Sequence, residues 1–343
     1  MSDLGRYEDL PEDYRERLTD KNLVPLWPSL RGLLPPGKPA IRTQAIKWAY
    51  KDVRGLLTEA GELTPIEKAE RRVLVLANPG HGLANMQATS TIYMGMQLIL
   101  PGEVAPNHRH TPNAVRIVVE GEGAFTTVNG EPCTMLRGDL VLTPTGLWHE
   151  HHHEGEGPFI WLDMLDLPLM YYLETSWATE GPAQKVVRDR DRSFTDYVAA
   201  GVVPQSLFAR DKSPYPLMRY PWERTRQALL NLAEERQQGL LQVAYVNPEN
   251  GHAIFPTFHF SAIMLRPGES QSLGVRTSAA AYHVVEGSGT CTAGGGTLIE
   301  WTDKDTFCSP GYDEVILTNL SKDEPAFLII ADDSPLHDYL RVF

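Results

Sequence analysis

Hydrophobic and polar positions follow two different periods along the chain. Within residues 1–70 the period is helical: DLPEDYRERLTDKNLVPLW combines helix-forming charges with apolar anchors, and AIKWAYKDVRGLLTEAGEL has the pattern of an amphipathic helix. From residue 89 onward the chain forms short β-rich runs separated by proline and glycine turns, among them TSTIYMGMQLIL, AVRIVVEG and PFIWLDMLD. Several short strands at close and regular spacing are typical of a β-barrel or a β-sandwich.

The β-rich pattern occurs twice. Residues 220–239, YPWERTRQALLNLAEERQQG, predict a helix that ends at Gly239, and β-rich runs return after it. The segment LPGE…RIVVEGEG in the first half is matched by LRPGES…YHVVEGSG in the second, which predicts two β-barrels joined by a helical bridge. We expect a helical N-terminal segment at residues 1–70, a first barrel at 71–185, a linker with a helix at 186–239 and a second barrel at 240–343.

Composition argues against several classes of protein. A length of 343 residues is enough for two ordinary domains, and 42% hydrophobic with 22% charged residues indicates a globular protein. A formal net charge of -13 argues against nucleic acid or an anionic membrane as the main partner. No apolar run approaches the roughly 20 residues of a membrane helix, and the N-terminus lacks the apolar core of a signal peptide. The three scattered cysteines, Cys133, Cys291 and Cys308, do not make a disulfide framework, so we expect a cytoplasmic enzyme or binding protein.

Two histidines separated by one residue, His108 and His110, are candidate metal ligands. In an extended strand alternate side chains share a face, so both rings would point the same way and could grip one ion. The pair belongs to a pattern G-x5-H-x-H that starts at Gly102, and a second pattern, G-x5-P-x-G-x2-H, starts at Gly138 and ends at His149. Together they resemble the two-part signature of the cupin superfamily. The resemblance implies a double-stranded β-helix, or jelly-roll barrel, in which the three histidines converge.

The carboxylate that most metal-binding cupins carry a few residues after H-x-H is missing here, because that position is Ala114. Three neutral imidazoles leave the charge of a divalent metal uncompensated. Such a site should prefer a chelating anionic substrate that brings its own negative oxygens. It also leaves coordination positions open, as catalytic metals require.

Longer stretches narrow the resemblance to one family. They are KAERRVLVLANPG, LPGEVAPNHRHTPNAVRIVVEGEGAFTTVNGE, GDLVLTPTGLWHEH, IWLDMLDLPL and RYPWERTRQAL. They resemble the gentisate 1,2-dioxygenase family of bicupin, Fe(II)-dependent ring-cleaving dioxygenases, which also includes salicylate and 1-hydroxy-2-naphthoate dioxygenases. The resemblance implies one Fe(II) per chain on His108, His110 and His149, O2 as co-substrate and a homotetramer. It implies that gentisate, bound through its carboxylate and ortho hydroxyl, is cleaved between the carboxyl-bearing and the adjacent hydroxyl-bearing carbons to give maleylpyruvate.

Two arginines and a histidine are candidates for contact with the substrate. Alternation places Arg116 on the face of the histidine pair, where its guanidinium could hold a carboxylate in a bidentate grip. The alternatives for Arg116 are a place at the barrel mouth or a pairing with an acidic residue. The resemblance implies that Arg72 is a second carboxylate-binding arginine, with Arg71 as its companion at the surface. It also implies that His151, two residues after His149, hydrogen-bonds substrate or O2 and assists proton transfer.

The run TIYMGMQLIL places Tyr93, Gly95 and Gln97 on one strand face, and the family resemblance implies that this strand lines the pocket beside the aromatic ring. Tyr93 could donate a hydrogen bond to a ring substituent, and Gln97 could orient substrate or O2; ordinary core packing is the alternative for both. Gly95 would enlarge the pocket and relax the demand for a 5-hydroxyl. In the run HEHHHE, we expect His152 and His153 to be loop residues with solvent-facing rings.

The second barrel departs from the metal-binding pattern. Gly274 and Arg276 stand where H-x-H is expected after Gly268, and Val315 stands at the position of His149. We therefore expect no metal in the second barrel, and a structural or oligomer-forming role for it.

The leading hypothesis is a ring-cleaving dioxygenase that acts on gentisate, a small aromatic hydroxy acid. Salicylate, a substituted salicylate or 1-hydroxy-2-naphthoate is the alternative substrate within the same chemistry. Outside it, the alternative is a non-catalytic metal-, sugar- or other ligand-binding cupin, and the histidine triad with two arginines favours the enzyme. A metal-dependent isomerase or hydrolase is disfavoured, because such cupins usually keep the glutamate. Affinity alone does not separate Fe(II) from Ni, Cu or Zn, but zinc has no redox chemistry.

Overall fold

A computed structural model of the protein describes residues 4–199 and 201–342. The chain divides into two compact units, residues 1–42 and residues 43–343. The described residues of the first unit include a short 3-10 helix (Tyr7–Asp9) and two α-helices, α1 (Glu12–Asp20) and α2 (Leu26–Leu33). Each α-helix follows a proline directly, at a helix start where the first amides have no intrahelical partner in any case. Within the described residues no helix combines the length and the apolar character needed to cross a membrane.

The second unit is mainly β, with short helices between its strands. Its helices are α3 (Tyr50–Leu63), α4 (Ile66–Ala69), α5 (Leu167–Tyr172), α6 (Arg192–Asp196), α7 (Gln205–Phe208), α8 (Trp222–Glu235) and α9 (Ser334–Leu340). The strands before residue 200 are β1 (Ile46–Trp48), β2 (Arg72–Val75), β3 (Tyr93–Ile99), β4 (Val104–His110), β5 (Ala114–Glu120), β6 (Ala124–Val128), β7 (Glu131–Thr134), β8 (Leu140–Thr143), β9 (His149–His153), β10 (Phe159–Leu165) and β11 (Ala178–Glu180). The strands after it are β12 (Arg219–Tyr220), β13 (Leu241–Ala244), β14 (His259–Leu265), β15 (Ser270–Arg276), β16 (Ala280–Glu286), β17 (Gly289–Ala293), β18 (Thr297–Trp301), β19 (Thr306–Ser309), β20 (Asp313–Asn319) and β21 (Ala326–Asp332).

Each half of this unit is built from two sheets, as in a cupin jelly roll. The first half has a six-stranded sheet, in the order β12-β8-β5-β10-β3-β2, and a five-stranded sheet, in the order β11-β4-β9-β6-β7. The second half has a six-stranded sheet, in the order β1-β19-β16-β21-β14-β13, and a four-stranded sheet, in the order β15-β20-β17-β18. The predicted fold class, two cupin barrels in a mainly β chain with a helical N-terminal segment and a helical linker, is confirmed.

Side chains of the two six-stranded sheets alternate between two environments. One set forms the largest hydrophobic core, which joins the two barrels and includes Met94, Met96, Leu98, Val115, Ile117, Leu162, Phe260, Ala262, Phe327 and Ile329. Burial of each large apolar side chain contributes about 1.5–3 kcal/mol. A register slip of one residue would expose the whole set and is therefore strongly disfavoured. The alternate positions of the first sheet, Gln97, Arg116 and Asp163 among them, are thereby directed into the first barrel.

The two halves exchange their first strands. β1, which precedes α3 and the first barrel, pairs with β19 of the second barrel, with Trp48 opposite Thr306. β12, which precedes α8 and the second barrel, pairs with β8 of the first barrel, with Arg219 opposite Val141. The strand that follows each helix, β2 or β13, returns to its own barrel beside β3 or β14. The repeat therefore includes a strand–helix–strand segment in front of each barrel.

The helix after each exchanged strand begins on the other barrel. The amide of Tyr50, the first residue of α3, donates to Oδ1 of Asp305 in the second barrel at 2.8 Å. The amide of Trp222, the first residue of α8, donates to Oδ1 of Asp139 in the first barrel at 2.8 Å. A carboxylate suits a helix N-terminus, where the free amides and the helix dipole favour negative charge. In each case the first amide of the helix thus donates to an aspartate of the other barrel, so equivalent hydrogen bonds join the two barrels.

Each helix also binds its own barrel. Nη2 of Arg54 in α3 lies 2.7 Å from Oε1 of Glu120, and Nε of Arg226 in α8 lies 3.1 Å from Oε2 of Glu286. Glu120 and Glu286 occupy the same position of the repeated sequence VVEG. The helix predicted over AIKWAYKDVRGLLTEAGEL begins only at Tyr50, because the residues before it are held in β1.

Candidate metal centre

The three predicted ligand histidines come from two neighbouring strands of the five-stranded sheet. His108 and His110 stand at the end of β4, and His149 begins β9. β4 and β9 are antiparallel neighbours in which His108 lies directly opposite His149. The register shifts between Ala105 and His108, an irregularity of the kind that re-aims side chains next to active sites. Two segments distant in sequence thus present three rings to one point.

The imidazole rings converge closely. The ring centroid of His149 lies 4.0 Å from that of His108 and 4.8 Å from that of His110. One nitrogen from each of the three rings lies within 4.8 Å of the others. Among the residues that the structure describes, this is the one group of three or more histidine, cysteine or acidic side chains close enough to hold a metal ion.

A main-chain carbonyl two residues away orients each ring. The three Nδ1–O distances are 3.0 Å for His108 to Pro106, 2.7 Å for His110 to Pro112 and 3.0 Å for His149 to Leu147. Because a carbonyl can only accept, each Nδ1 carries the proton and each Nε2 keeps a free lone pair. Nε2 of His149 is buried and has no hydrogen-bond partner within the described residues. A buried lone pair without a partner fits a metal ligand.

Burial and nearby arginines keep these imidazoles neutral. Burial lowers the pKa of His108 to about 2, and the charge of Arg71 acts in the same direction. Burial, followed by the charge of Arg116, lowers the pKa of His110 to about 4. Burial also lowers the pKa of His149 well below its usual value, with His108 as the next cause. Neutral imidazole is the form that ligates a metal, so the site is already in its binding state.

His151 lies beside the triad without joining it. Its ring centroid is 5.9 Å from that of His149, and its Nδ1 lies 2.8 Å from Oγ1 of Thr126. Its Nε2 is buried and has no hydrogen-bond partner in the described part of the chain. Burial lowers the pKa of His151 well below its usual value, and the charge of Arg116 adds to this. A neutral imidazole with one unused nitrogen therefore stands next to the three ligands.

Arg116 is directed into the barrel, as its place in the strand predicted. Its Nη1 donates to Oγ1 of Thr143 at 2.7 Å, and its Nε lies 3.2 Å from Oδ1 of Asp163. Asp163 stands directly opposite Arg116 on β10, and Nε1 of Trp161 donates to its other oxygen at 2.9 Å. Of the alternatives for Arg116, the pairing with an acid is present. Sequence reasoning missed Asp163, whose only local signal is a single carboxylate inside the apolar run IWLDML.

The structure does not bring Arg72 to the histidines. In the β2–β3 pair Arg72 lies opposite Leu98, a member of the core that joins the two barrels. Its buried guanidinium binds the carboxylate of Glu103. Strand alternation turns the side chain of Arg72 away from the metal centre. Arg72 therefore does not lie beside the ligand histidines, where it was expected.

Arg71 is turned to the face of the site, and its side chain is partly exposed, with Nη1 3.9 Å from Oε2 of Glu70. Val73, two residues on, lies opposite Gln97, so the odd-numbered positions of this segment share the face of the site. Burial is the main cause of the lowered pKa values of His108 and His110, and the charge of Arg71 acts in the same direction on both. The Nε atom of Arg71 is buried and has no hydrogen-bond partner among the described residues. Alternation along the sequence shows that Arg71 and Arg72 point to opposite faces. The pairing of β2 with β3 then shows that the face of Arg71 is the face of the site.

Tyr93, Gly95 and Gln97 share one face of β3, as predicted. The Nε2 atom of Gln97 is buried and has no hydrogen-bond partner among residues 4–199 and 201–342. A Cβ atom on Gly95 would lie 2.6 Å from the Tyr93 hydroxyl and 2.6 Å from Cγ1 of Val73. The space beside Gly95 is therefore already occupied by these two side chains. Burial raises the pKa of Tyr93, with the charge of Asp163 as the second cause, so its hydroxyl keeps its proton and can donate.

The first five residues of the run HEHHHE form a strand and not a loop, since β9 covers residues 149–153. Alternation turns His153 inward, where it is 2% exposed and its Nε2 lies 2.7 Å from the carbonyl oxygen of Gly157. The solvent-facing ring expected for His153 is therefore wrong. His152, on the other face, is partly exposed and stacks on Phe125 with ring centroids 5.0 Å apart.

Side chains fill the interior of the second barrel. Tyr282 stacks on Phe307 with ring centroids 4.7 Å apart, within a cluster that also contains Val315. Arg276 lies with its Nη1 3.4 Å from Oδ2 of Asp332. Of the three positions that correspond to metal ligands, Val315 thus takes part in packing and Arg276 in ion pairing. That this barrel binds no metal stays a prediction.

A β-barrel that directs three neutral imidazoles and two arginines to one point defines a metal-binding cupin. A family model described as "Cupin domain" matches residues 95–165. The chain is 57% identical over 342 residues to a gentisate 1,2-dioxygenase of Ralstonia sp, with 99% of this chain and 96% of that protein covered. It is 38% identical to gentisate 1,2 dioxygenase 1 of Aquipseudomonas alcaligenes, with 88% of this chain and 87% of that protein covered.

The fold is also similar to that of a solved dioxygenase structure. The crystal structure of salicylate 1,2-dioxygenase from Pseudoaminobacter salicylatoxidans with gentisate adducts matches with a TM-score of 0.88 and 31% identity. The match covers 97% of this chain and 93% of that one. The protein belongs to the gentisate 1,2-dioxygenase family of ring-cleaving oxidoreductases.

Proposed function

We propose that the protein is an Fe(II)-dependent dioxygenase that cleaves gentisate between the carboxyl-bearing and the adjacent hydroxyl-bearing carbons to give maleylpyruvate. The observation that carries the proposal is the charge of the site. Three imidazoles held neutral by burial stand beside two arginines, without a carboxylate ligand. Asp163 offsets one of the two arginine charges, and the exposed carboxylate of Glu70 lies 3.9 Å from Nη1 of Arg71, where solvent weakens its effect. The two arginines and the metal therefore leave a net positive site for a small aromatic acid.

His108, His110 and His149 would hold the metal through their Nε2 atoms. Three nitrogen ligands leave coordination positions of the metal open for oxygen ligands. Iron, when bound, supplies the redox chemistry through which electron density leaves the ring for dioxygen, which zinc cannot supply. The carbonyls that accept from each Nδ1 fix the direction of the rings before any metal arrives.

Arg71 and Arg116 would receive the substrate carboxylate. Thr143 and Asp163 hold the guanidinium of Arg116 in one orientation, which suits a planar, two-point grip. Arg71 contributes a buried Nε–H without a partner among the described residues. We propose Arg71 for the role that the sequence resemblance suggested for Arg72, because only Arg71 is on the face of the site.

Three further residues would contact oxygen atoms of the substrate outside its carboxylate, or O2: His151, Gln97 and Tyr93. The Nε2 of His151 can accept a hydrogen bond from a substrate hydroxyl and assist its proton transfer, since Nε2 has no partner among the described residues and Nδ1 lies 2.8 Å from Oγ1 of Thr126. The free Nε2–H of Gln97 can donate to an oxygen of substrate or of O2. Tyr93 can donate its hydroxyl proton to a ring substituent such as the 5-hydroxyl of gentisate.

Salicylate, a substituted salicylate or 1-hydroxy-2-naphthoate is the second candidate substrate. The similarity to a salicylate 1,2-dioxygenase of known structure supports it. The surroundings of Gly95 favour gentisate, because Tyr93 and Val73 occupy the space that a glycine leaves free. A larger bicyclic substrate would have to displace one of them.

Anaerobic loading with Fe(II), followed by O2 uptake with a panel of hydroxybenzoates, tests this proposal. We expect the highest kcat/KM with gentisate, O2 uptake equimolar with substrate, and no turnover with Zn(II) in place of Fe(II). A higher kcat/KM with salicylate would support the second candidate. No uptake with any hydroxybenzoate at full iron occupancy would contradict the dioxygenase function.

The proposal includes a cytoplasmic homotetramer with barrel domains at residues 71–185 and 240–343, to which the exchanged strands β12 and β1, respectively, are added. Large apolar side chains at the end of α5 support an oligomer: Tyr171, Tyr172 and Leu173 are 77%, 85% and 55% exposed, and a subunit contact would cover them. The three cysteines are free and buried, as suits a reducing compartment. Light scattering coupled to size-exclusion chromatography measures the subunit number.

A further inference from the structure

Asp166 and Asn113 form a buried hydrogen-bonded pair that has no part in the chemistry proposed above. Oδ1 of Asp166 accepts from the amide of Asn113 at 2.7 Å, and its Oδ2 accepts from Nδ2 of Asn113 at 3.0 Å. Oδ2 also accepts from Oγ1 of Thr257 at 2.6 Å. Although Asp166 precedes α5, its side chain makes no capping bond to that helix. Its carboxylate is therefore committed to Asn113 and Thr257.

Asn113 links the two loops that orient metal ligands. Its Oδ1 accepts from the amide of Thr145 at 3.1 Å. The residue before Asn113 supplies the carbonyl that orients His110, and the second residue after Thr145 supplies the carbonyl that orients His149. The same two loops are joined again where the amide of Gly146 donates to the carbonyl of His110 at 2.8 Å. A shift of Asn113 would therefore move both carbonyls.

We propose that Asp166 and Asn113 are positioning residues of the metal centre, and that Thr257 extends their network to the second cupin half of the chain. A carboxylate that accepts three hydrogen bonds holds its donors more firmly than neutral acceptors do. Through the two loops it fixes the ring directions of His110 and His149, as outer partners of metal ligands do. Thr257 precedes β14, so the second cupin half contributes a group to the hydrogen-bond network that supports the metal centre of the first. The inference rests on the proposed metal site.

Co(II) affinity, measured by competition with a chelator, tests this role in Asp166→Asn and Thr257→Val. Asp166→Asn turns an acceptor into a donor that faces the donors of Asn113 and Thr257. We expect the Kd for Co(II) to rise about 10- to 100-fold, as for other outer partners of metal ligands. Thr257→Val removes one donor at nearly constant volume and should raise the Kd by a smaller factor. The visible absorption of bound Co(II), which reports ligand geometry, should change in both variants.

Asp191 and Thr134 provide a matched control in the same barrel. Asp191 also accepts three hydrogen bonds, from the amide of Thr134 at 2.9 Å, from Oγ1 of Thr134 at 2.6 Å and from Nη1 of Arg219 at 3.0 Å. These partners do not belong to the loops that orient the ligands. Asp191→Asn and Thr134→Val should lower Tm to a similar extent, yet keep the wild-type Kd and absorption spectrum of Co(II).

The outcomes separate this inference from the function on which it rests. A Kd for Co(II) that is the same in all four variants and the wild type would overturn the positioning role and leave the metal site intact. Equal losses of affinity in the Asp166 and Asp191 variants would also overturn it, because the effect would then follow global stability. A wild-type protein that does not bind Co(II) would contradict the metal site itself.

Discussion

The guanidinium of Arg116 and the carboxylate of Asp163 face each other across paired strands, with Nε 3.2 Å from Oδ1. Both side chains are buried, at 3% and 6% exposure. An arginine whose charge is already offset is held rigidly, so it can read the shape of a carboxylate while contributing little net charge. In the proposed function, Arg71, the second arginine of the site, then supplies most of the attraction for the substrate carboxylate. The first two predictions test this division of roles.

Arg116→Ala should lower kcat/KM for gentisate by about 100-fold or more, because a buried carboxylate would lose its charge-assisted partner. Arg116→Lys should rescue little, since an ammonium lacks the planar fork. Catechol, which has no carboxylate, should be a poor substrate and nearly indifferent to the change. The double variant Arg116→Ala, Asp163→Asn removes the carboxylate left unpaired and serves as a control. Equal losses for gentisate, salicylate and catechol would mean that Arg116 maintains the barrel and does not bind the carboxylate.

Arg71→Ala should affect substrate binding and Arg72→Ala should affect stability, although the two residues are adjacent. Arg71→Ala should raise KM for gentisate about 10-fold or more at unchanged Tm, because a charge-assisted contact to the substrate is lost. Arg72→Ala leaves Glu103 without its partner, and we expect a lower Tm with nearly unchanged KM. Steady-state kinetics and thermal unfolding of both variants decide the matter. A larger rise of KM in Arg72→Ala, at wild-type Tm, would restore Arg72 as the substrate-binding residue.

His149→Ala and His151→Ala separate metal binding from proton transfer. His149→Ala should abolish turnover and most iron retention, because two imidazoles hold a divalent ion weakly. His151→Ala should retain iron and lose turnover, since its ring lies outside the triad. Iron content after gel filtration, measured beside O2 uptake, tests both. Loss of iron from His151→Ala as complete as from His149→Ala would place His151 among the ligands.

The chain should bind at most one iron, held by residues of the first barrel. The second barrel has Gly274, Arg276 and Val315 at the ligand positions, and its interior holds the stacked rings of Tyr282 and Phe307. Metal analysis of protein loaded with excess Fe(II) measures the stoichiometry. Two equivalents per chain, with ligands between residues 260 and 320, would disprove the prediction.

The exchanged segments should make the two barrels unfold together. Asp305→Ala removes the acceptor for the Tyr50 amide and should lower the free energy of unfolding by about 1–3 kcal/mol. Although Asp305 lies in the second barrel, the release of metal bound in the first barrel should shift to lower temperature with the main transition. Asp303→Ala breaks the exposed pair with Arg137 in the same turn and should change little. Metal release at the wild-type temperature in Asp305→Ala would show that the barrels unfold independently.

The sequence by itself determined the two barrels, the three candidate ligands and the loss of those ligands in the second barrel. These features follow from local geometry. Side chains alternate along a strand, so the spacing of His108 and His110 fixes their common face, and the turn residues before His149 fix where its strand begins. Gln97 and Arg116 were placed correctly for the same reason.

Only the tertiary structure decided which arginine of the pair enters the site, because that depends on how β2 pairs with β3 and not on its own residues. It also decided the partner of Arg116, since Asp163 meets it across two strands that are distant in sequence. The residues before Tyr50 form β1 and not the first turn of the predicted helix for a similar reason, because their backbone groups bond to β19 of the other barrel. Strand pairing is set by long-range packing of whole sheets, which no local pattern of residues encodes.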